Sequence, residues 1–121
     1  MPSTQRLGGS GGRVDMVLGD RHGRSCHPAL TEMAAVLLRE AGYRVALNKP
    51  YAGGYVTETY GRPDRGLHAL QIEISRALYM NEATITRTTG FSALKRDFTR
   101  FVEQLVASFG AIFDDLRSAA E

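Results

Sequence analysis

The chain has 121 residues, of which 43% are hydrophobic and 23% are charged, as is typical of a soluble globular protein. Fifteen Lys and Arg residues against thirteen Asp and Glu residues give a net charge of +2, too small a bias to indicate nucleic-acid or membrane binding. The single cysteine, Cys26, cannot form an internal disulfide, and no run of about 18 apolar residues could span a membrane. These features predict a cytoplasmic protein with neither a nucleic-acid nor a membrane partner.

The first part of the chain predicts a strand, a helix and a second strand. Residues 1–13 are rich in Gly and Ser and indicate a loop, whereas residues 14–19 form a short apolar run that predicts a strand. Residues 28–42 predict a helix with one apolar stripe: Leu30, Met33, Ala34, Leu37 and Leu38. Residues 43–48 predict the second strand. Three such elements within about 35 residues favour a right-handed βαβ unit with parallel strands.

The second part of the chain predicts one more strand and a long helix. Residues 49–66 are expected to form a loop whose YVTETY segment is extended, and residues 68–75 a third strand. Residues 76–91 predict an irregular segment or a short helical turn. An amphipathic helix then runs from Ser92, its predicted N-cap, to about residue 119. The predicted fold class is α/β, a mostly parallel sheet flanked by helices with a long C-terminal helix, and the sheet is expected to extend beyond this chain.

An acidic residue stands in the middle of the third predicted strand. Strand alternation places Gln71, Glu73 and Ser75 on one face and apolar residues on the other. A buried carboxylate is costly without a partner, so Glu73 is either a general base near the carboxyl end of the strand or a structural residue paired with Arg62 or Arg76. The pattern alone leaves both interpretations open.

The histidines do not form a recognisable metal motif. His22 and His27 flank Cys26 in HGRSCH, a spacing that matches no common zinc site, and His68 at the start of a strand is expected to be structural. The sequence therefore predicts no metal ligand within this chain.

Three segments together resemble the C-terminal half of the N-formylglutamate amidohydrolase family: VLGDRHGRSCHPALT, NKPYAGGYVTETYGRP and HALQIEISRALYM. The resemblance extends over residues 1–121, as the C-terminal portion of a single domain. It implies a zinc-carboxypeptidase-like (phosphorylase/hydrolase-like) α/β fold. It also implies the hydrolysis of N-formyl-L-glutamate to formate and glutamate, the closing step of one bacterial route of histidine degradation.

The resemblance assigns Glu73 as the catalytic glutamate, which would move a proton from a metal-bound water to the leaving nitrogen. The family uses a divalent metal, Zn²⁺, and one of its His ligands directly precedes a Met-Pro-Ser that residues 1–3 match. The N-terminal metal-ligand half is therefore expected to be absent, and the chain alone is expected to bind no metal.

The implied substrate is a small acidic N-acyl amino acid with two carboxylates and an amide. Arginine suits carboxylates, and adjacent glycines let a loop approach a ligand closely. The predicted substrate contacts are Arg62, Arg76, Asn48, Tyr51, Gly53 and Gly54. The glycine loop could equally be an ordinary surface turn, and Asp20 with Arg21 forms a further polar pair after the first strand.

Three functions follow from these observations. The first is a metal-dependent N-formylglutamate amidohydrolase, of which this chain is an inactive fragment. The second is a deacylase that acts on another N-acyl amino acid, and the third is a non-enzymatic truncated remnant or binding module. The oligomeric state is not predicted.

Overall fold

A computed structural model of the chain describes residues 1–4 and 12–120, without the side chains of Leu116 and residues 118–120. The strands are β1 Met16–Gly19, β2 Val45–Leu47, β3 Gln71–Ile74, β4 Met80–Asn81 and β5 Thr86–Arg87. The helices are α1 Pro28–Glu40, α2 Tyr55–Tyr60 and α3 Gly90–Ala120. Short 3₁₀ turns at Pro63–Arg65 and Arg76–Leu78 lie on either side of β3.

The central sheet joins β1, β2 and β3 in the order β2-β1-β3. β1 and β2 are parallel, with Met16 opposite Val45, and α1 connects them, so the predicted βαβ unit is confirmed. β3 is antiparallel to β1, with Val17 opposite Glu73. The prediction of a mostly parallel sheet is therefore wrong. The connection from β2 to β3, residues 48–70, crosses the carboxyl end of β1, where the Arg21 N–H donates to the Ala52 carbonyl. β3 therefore starts at that edge, with Gln71 opposite Gly19, and runs back.

The hydrophobic core lies between one face of this sheet and the two long helices. Its buried members come from the strands, α1 and α3: Met16, Leu18, Ala34, Ala35, Leu38, Val45, Leu94 and Phe101. Ile72 and Ile74 of β3 are half-buried and pack against the same cluster. Full burial of a Val, Leu, Met or Phe side chain stabilises the fold by about 1.5–3 kcal/mol. Because side chains alternate along a strand, Val17, Gln71 and Glu73 belong to the opposite face.

Other elements depart from the sequence expectations. The YVTETY segment is not extended but forms α2, whose Thr57 is buried and donates a hydrogen bond to the Gly54 carbonyl at 2.8 Å. Its β-branched residues favour a strand. The segment is instead bounded by Gly54 and Gly61, and its helical turns are closed by the Glu58 N–H on the Gly54 carbonyl and the Gly61 N–H on the Thr57 carbonyl. α3 begins at Gly90, so Ser92 is not its N-cap. β4 and β5 form a hairpin where irregular chain was predicted. None of the described helices, α3 included, is both long and apolar enough to cross a bilayer.

Candidate active site

Glu73 lies on the face of the sheet opposite α1 and α3, with a third of its side chain exposed. The Gln71 amide donates a hydrogen bond to Glu73 Oε1 at 3.2 Å, as expected for two residues on the same face. The Gly54 N–H donates to Gln71 Oε1 at 2.9 Å, and the Met1 ammonium lies 3.8 Å from Glu73 Oε2. Among the described ion pairs, Glu73 has no arginine partner, so the structural pairing with Arg62 or Arg76 is wrong.

The antiparallel direction of β3 changes where Glu73 lies. Gln71 pairs with Gly19 at the carboxyl edge of β1, whereas Glu73 pairs with Val17 in the middle of the sheet. The expectation that Glu73 lies at the sheet edge where ligands collect is therefore wrong, because it assumed a parallel strand. Gln71 is the residue that connects this edge to Glu73.

The predicted glycine loop crosses the end of β1. A Cβ atom on Gly19 would lie 2.6 Å from the Ala52 carbonyl carbon, so only glycine permits this crossing. The Arg21 N–H donates to the Ala52 carbonyl at 2.7 Å, and Gly53 has a φ of +127°, which L side chains rarely adopt. The loop thus lies beside Gln71, with Tyr51 half-buried within it.

Asn48, a predicted substrate contact, instead holds the loop that follows β1. Its Nδ2 donates to Asp20 Oδ1 at 2.9 Å, and its Oδ1 accepts the N–H groups of Asp20 and His22. Asp20 is 4% exposed and also accepts from the Thr31 hydroxyl at 2.8 Å. Burial alone would raise the Asp20 pKa, but hydrogen bonds from Asn48, Thr31 and the Gly23 N–H outweigh it and lower that pKa.

The residues after Asp20 form a left-handed turn. Arg21, His22 and Gly23 have φ values of 54°, 56° and 86° in succession. A non-glycine residue in this region costs about 1–3 kcal/mol, and such conformations cluster at functional sites. The turn brings the Arg21 guanidinium to 3.8 Å from Glu58 of α2 and to 3.4 Å from the Gly53 carbonyl.

Arg21 lines a cavity of about 250 Å³ together with α2 and the residues around it. The lining residues are Arg21, Arg24, Ser25, Thr57, Glu58, Gly61 and Arg62. Arg62 Nη1 donates to the Gly61 and Glu58 carbonyls at 2.7 and 3.1 Å. The structure therefore brings Arg62 together with Arg24, which the sequence analysis missed. The GDRHGR spacing alone gives no sign that the loop folds its two arginines toward α2.

Arg76 lies apart from this cavity. Arg62 bridges to Leu67 before β3, whereas Arg76 follows the end of β3. The two arginines therefore lie toward opposite ends of β3, whose four residues span about 13 Å. Arg76 Nη1 lies 3.7 Å from Glu82 Oε2, and hydrogen bonds from Ser3 lower the Glu82 pKa. The structure thus does not bring the two predicted carboxylate contacts together.

The histidines have structural partners. His27 Nδ1 accepts the Ala29 N–H as the N-cap of α1, and His68 Nδ1 accepts the His27 N–H at 3.1 Å. The His68 ring packs on Phe113 of α3 with centroids 4.6 Å apart, so its predicted structural role is confirmed. Burial raises the pKa of the Cys26 thiol. Across residues 1–4 and 12–120, no three His, Cys, Asp or Glu residues are grouped so that they could hold a metal ion.

Known proteins that are similar in sequence and in structure identify the family of this chain. The N-formylglutamate amidohydrolase family model matches residues 1–80. N-formylglutamate deformylases of Pseudomonas aeruginosa and Pseudomonas putida are each 41% identical over 69 residues, which is 56% of this chain and 26% of each relative. The crystal structure of N-formylglutamate amidohydrolase from Ralstonia eutropha superposes with a TM-score of 0.77 at 42% identity, over 84% of this chain and 38% of that one.

The chain thus spans about a quarter of the length of the Pseudomonas relatives and 38% of the Ralstonia structure. The family match covers β1, α1, β2, α2 and β3, and with them Glu73, Gln71 and the cavity lined by arginines. The chain belongs to the N-formylglutamate amidohydrolase family.

Proposed function

We propose that this chain supplies the general acid–base, Glu73, of a site that hydrolyses N-formylglutamate. The observation that carries the proposal is the position of Glu73 on the sheet face opposite α1 and α3, where its described partners are the neutral amide of Gln71 and, at 3.8 Å, the Met1 ammonium. A carboxylate held there without an arginine can exchange a proton with a substrate. The names of the Pseudomonas and Ralstonia relatives support the choice of substrate.

The hydrogen bonds around Gln71 fix how Glu73 would act. The Gly54 N–H requires an acceptor, so the Gln71 oxygen faces Gly54 and its NH₂ group faces Glu73. One Glu73 oxygen is thereby held, and the other is the candidate proton carrier. In the proposed reaction, water adds to the formyl carbon while Glu73 takes its proton. The C–N bond then breaks, Glu73 gives the proton to the leaving nitrogen, and formate and glutamate are released.

The metal implied by the family resemblance does not fit the described residues. No described group of three ligands exists, and the Nδ1 atoms of His27 and His68 already accept backbone hydrogen bonds. The proposal therefore includes a divalent metal, Zn²⁺, whose ligands come from outside these residues, within a zinc-carboxypeptidase-like fold. No step above is assigned to that metal.

A chimera tests the proposed activity. The part of the Pseudomonas aeruginosa deformylase that corresponds to residues 1–80 of this chain would be replaced by those residues, which include Glu73. We expect the chimera to release formate from N-formylglutamate. Faster turnover of N-acetylglutamate or N-formylalanine would indicate a deacylase for another N-acyl amino acid. A folded chimera that hydrolyses none of these substrates would refute the proposal.

The 121-residue chain itself is expected to be inactive. A hydrolytic zinc site needs about three protein ligands together with an open position for water, and the described residues do not provide that set. The purified chain would be incubated with zinc, dialysed and assayed for bound metal and formate release. Stoichiometric zinc together with sustained turnover would contradict this expectation.

A further inference from the structure

We infer that Arg21, Arg24 and Arg62 form the subsite for a carboxylate of the acidic substrate, with Arg24 as a specificity-determining residue; this inference rests on the proposed function. The three arginines line one cavity, and Glu58 is the acidic residue of its lining. The formal charge of the lining is therefore +2. A cavity of about 250 Å³ holds a carboxylate and a short aliphatic arm rather than a large ligand.

The donors of the cavity are suited to a carboxylate. Each guanidinium carries five N–H donors, and the described hydrogen bonds of Arg62 and Arg21 use Nη1 only. The Arg21–Glu58 separation of 3.8 Å exceeds hydrogen-bond distance, and the Glu58 side chain is 66% exposed, so this pair is weak. A substrate carboxylate could therefore displace Glu58 from Arg21 at little cost. By contrast, the larger cavity between α1 and α3 is lined mainly by apolar and mixed-charge residues and does not favour an anion.

Two separate features fix the backbone that carries these arginines. The buried Asp20–Asn48 pair fixes the left-handed turn that carries Arg21. Gly61 permits close packing at the base of the cavity, because a Cβ atom there would lie 2.6 Å from the Ser25 Cα. A fixed backbone around the cavity lowers the entropic cost of binding a small ion.

A run of contacts connects the cavity to Glu73. Arg21 Nη1 donates to the Gly53 carbonyl, the adjacent Gly54 N–H donates to Gln71, and Gln71 donates to Glu73. The glycine loop thus lies between the arginines and the proposed acid–base. In the inferred complex, a carboxylate of the substrate contacts the arginines and its amide lies toward Glu73. Arg76, at the far end of β3 and paired with Glu82, is not part of this run.

Binding of glutarate to the 121-residue chain tests the subsite. Glutarate carries the dicarboxylate of the substrate without its amide, and glutaramide is its uncharged counterpart. Titrations followed by ¹⁵N NMR at constant ionic strength should show saturable binding of glutarate only. Arg24→Gln and Arg62→Gln should each weaken that binding by about tenfold, the usual scale for a charge-assisted hydrogen bond. Arg65→Gln, three residues from Arg62 and outside the lining, is the matched control and should change it less than twofold.

Several results would overturn the inference: no glutarate binding, equal weakening by Arg65→Gln, or a loss caused by Arg76→Gln in place of the cavity variants. Arg62→Lys separates a folding defect from a binding defect, because it keeps the charge but loses the planar fork.

The subsite and the proposed function can fail separately. Glutarate binding at the cavity together with an inactive chimera would refute the proposed function but not the subsite. An active chimera whose KM is unchanged by Arg24→Gln would remove the subsite alone.

Discussion

The two faces of β3 have different partners. Ile72 and Ile74 pack against the core beneath α1 and α3, whereas Gln71 and Glu73 contact each other and the Gly54 N–H. Four consecutive residues thus alternate between the core and the polar face that carries the proposed acid–base, because a strand directs neighbouring side chains to opposite sides. Substitutions on the two faces should therefore separate folding from catalysis, and the predictions below test that separation.

The largest expected effect is on the polar face. Glu73→Gln in the Pseudomonas chimera should reduce turnover of N-formylglutamate by at least ~100-fold, the usual scale for a positioned acid–base group. Gln is nearly isosteric and can still accept the hydrogen bond from Gln71, so the melting temperature should stay within a degree or two of the parent. Formate release and thermal unfolding would be measured on the same samples. Near-normal turnover would make Glu73 a structural residue.

The neighbouring residue should show the opposite behaviour. Ile72→Ala removes apolar atoms that pack on the core and should lower the free energy of unfolding by about 2 kcal/mol. Val106→Ala is the control, since Val106 is 69% exposed, and should lower it by less than about 0.5 kcal/mol. Urea unfolding of the 121-residue chain measures both variants. Equal effects of the two substitutions would show that β3 does not anchor the core.

The local elements of the fold are predictable because their patterns are short-range. β1, α1 and β2 lie within two residues of the predicted spans, and the alternation in β3 places Glu73 on the polar face. The direction of β3 is not predictable in this way. The direction of β3 depends on whether the connection from β2 returns the chain across the sheet. The residues of β3 do not indicate which path the connection takes.

The site is predictable only where one strand or one loop defines it. Gly53 and Gly54 do lie beside Gln71, and Arg62 does line a cavity. The position of Arg24 is not predictable from the sequence, because it depends on a left-handed turn that a distant asparagine holds. The amide of Asn48 has the chemistry of a substrate contact, and long-range folding brings its atoms to Asp20 and His22. Long-range contacts therefore set the roles that residue type leaves open.

A third substitution probes the loop that joins the arginines to Glu73. A Cβ atom on Gly54 would lie 3.3 Å from Gln71 Oε1, so Gly54→Ala should push the Gln71 amide by a few tenths of an ångström. We expect kcat/KM in the chimera to fall by about tenfold, since small misplacements near reacting groups are costly. The melting temperature should barely change, because Gly54 is exposed and has a negative φ.

Gly53→Ala is the comparison for that variant. The φ of +127° at Gly53 and the close approach of its Cβ position to Thr57 predict a loss of stability that Gly54→Ala does not show. If both variants lost activity only in proportion to stability, the loop would be an ordinary turn with no part in catalysis.

The smallest expected effect concerns His68, on the side of the molecule where α3 packs. Burial, followed by the electrostatic effect of the neighbouring His27 ring, lowers the His68 pKa below its ordinary value of about 6.5. The unfolded chain therefore binds more protons than the folded one in the window below pH 6.5. The stability that neutral His68 provides is complete above that pH and is lost as the pH falls through the folded-state pKa.

His68→Gln should flatten the decline in unfolding free energy between pH 7 and 5, because a Gln oxygen can still accept the His27 N–H without titrating. The exposed His22 is the matched control, and His22→Gln should leave the slope as it is in the parent chain. Urea unfolding at several pH values measures the slopes, and an unchanged slope in His68→Gln would show that proton uptake by His68 does not oppose the packing of α3.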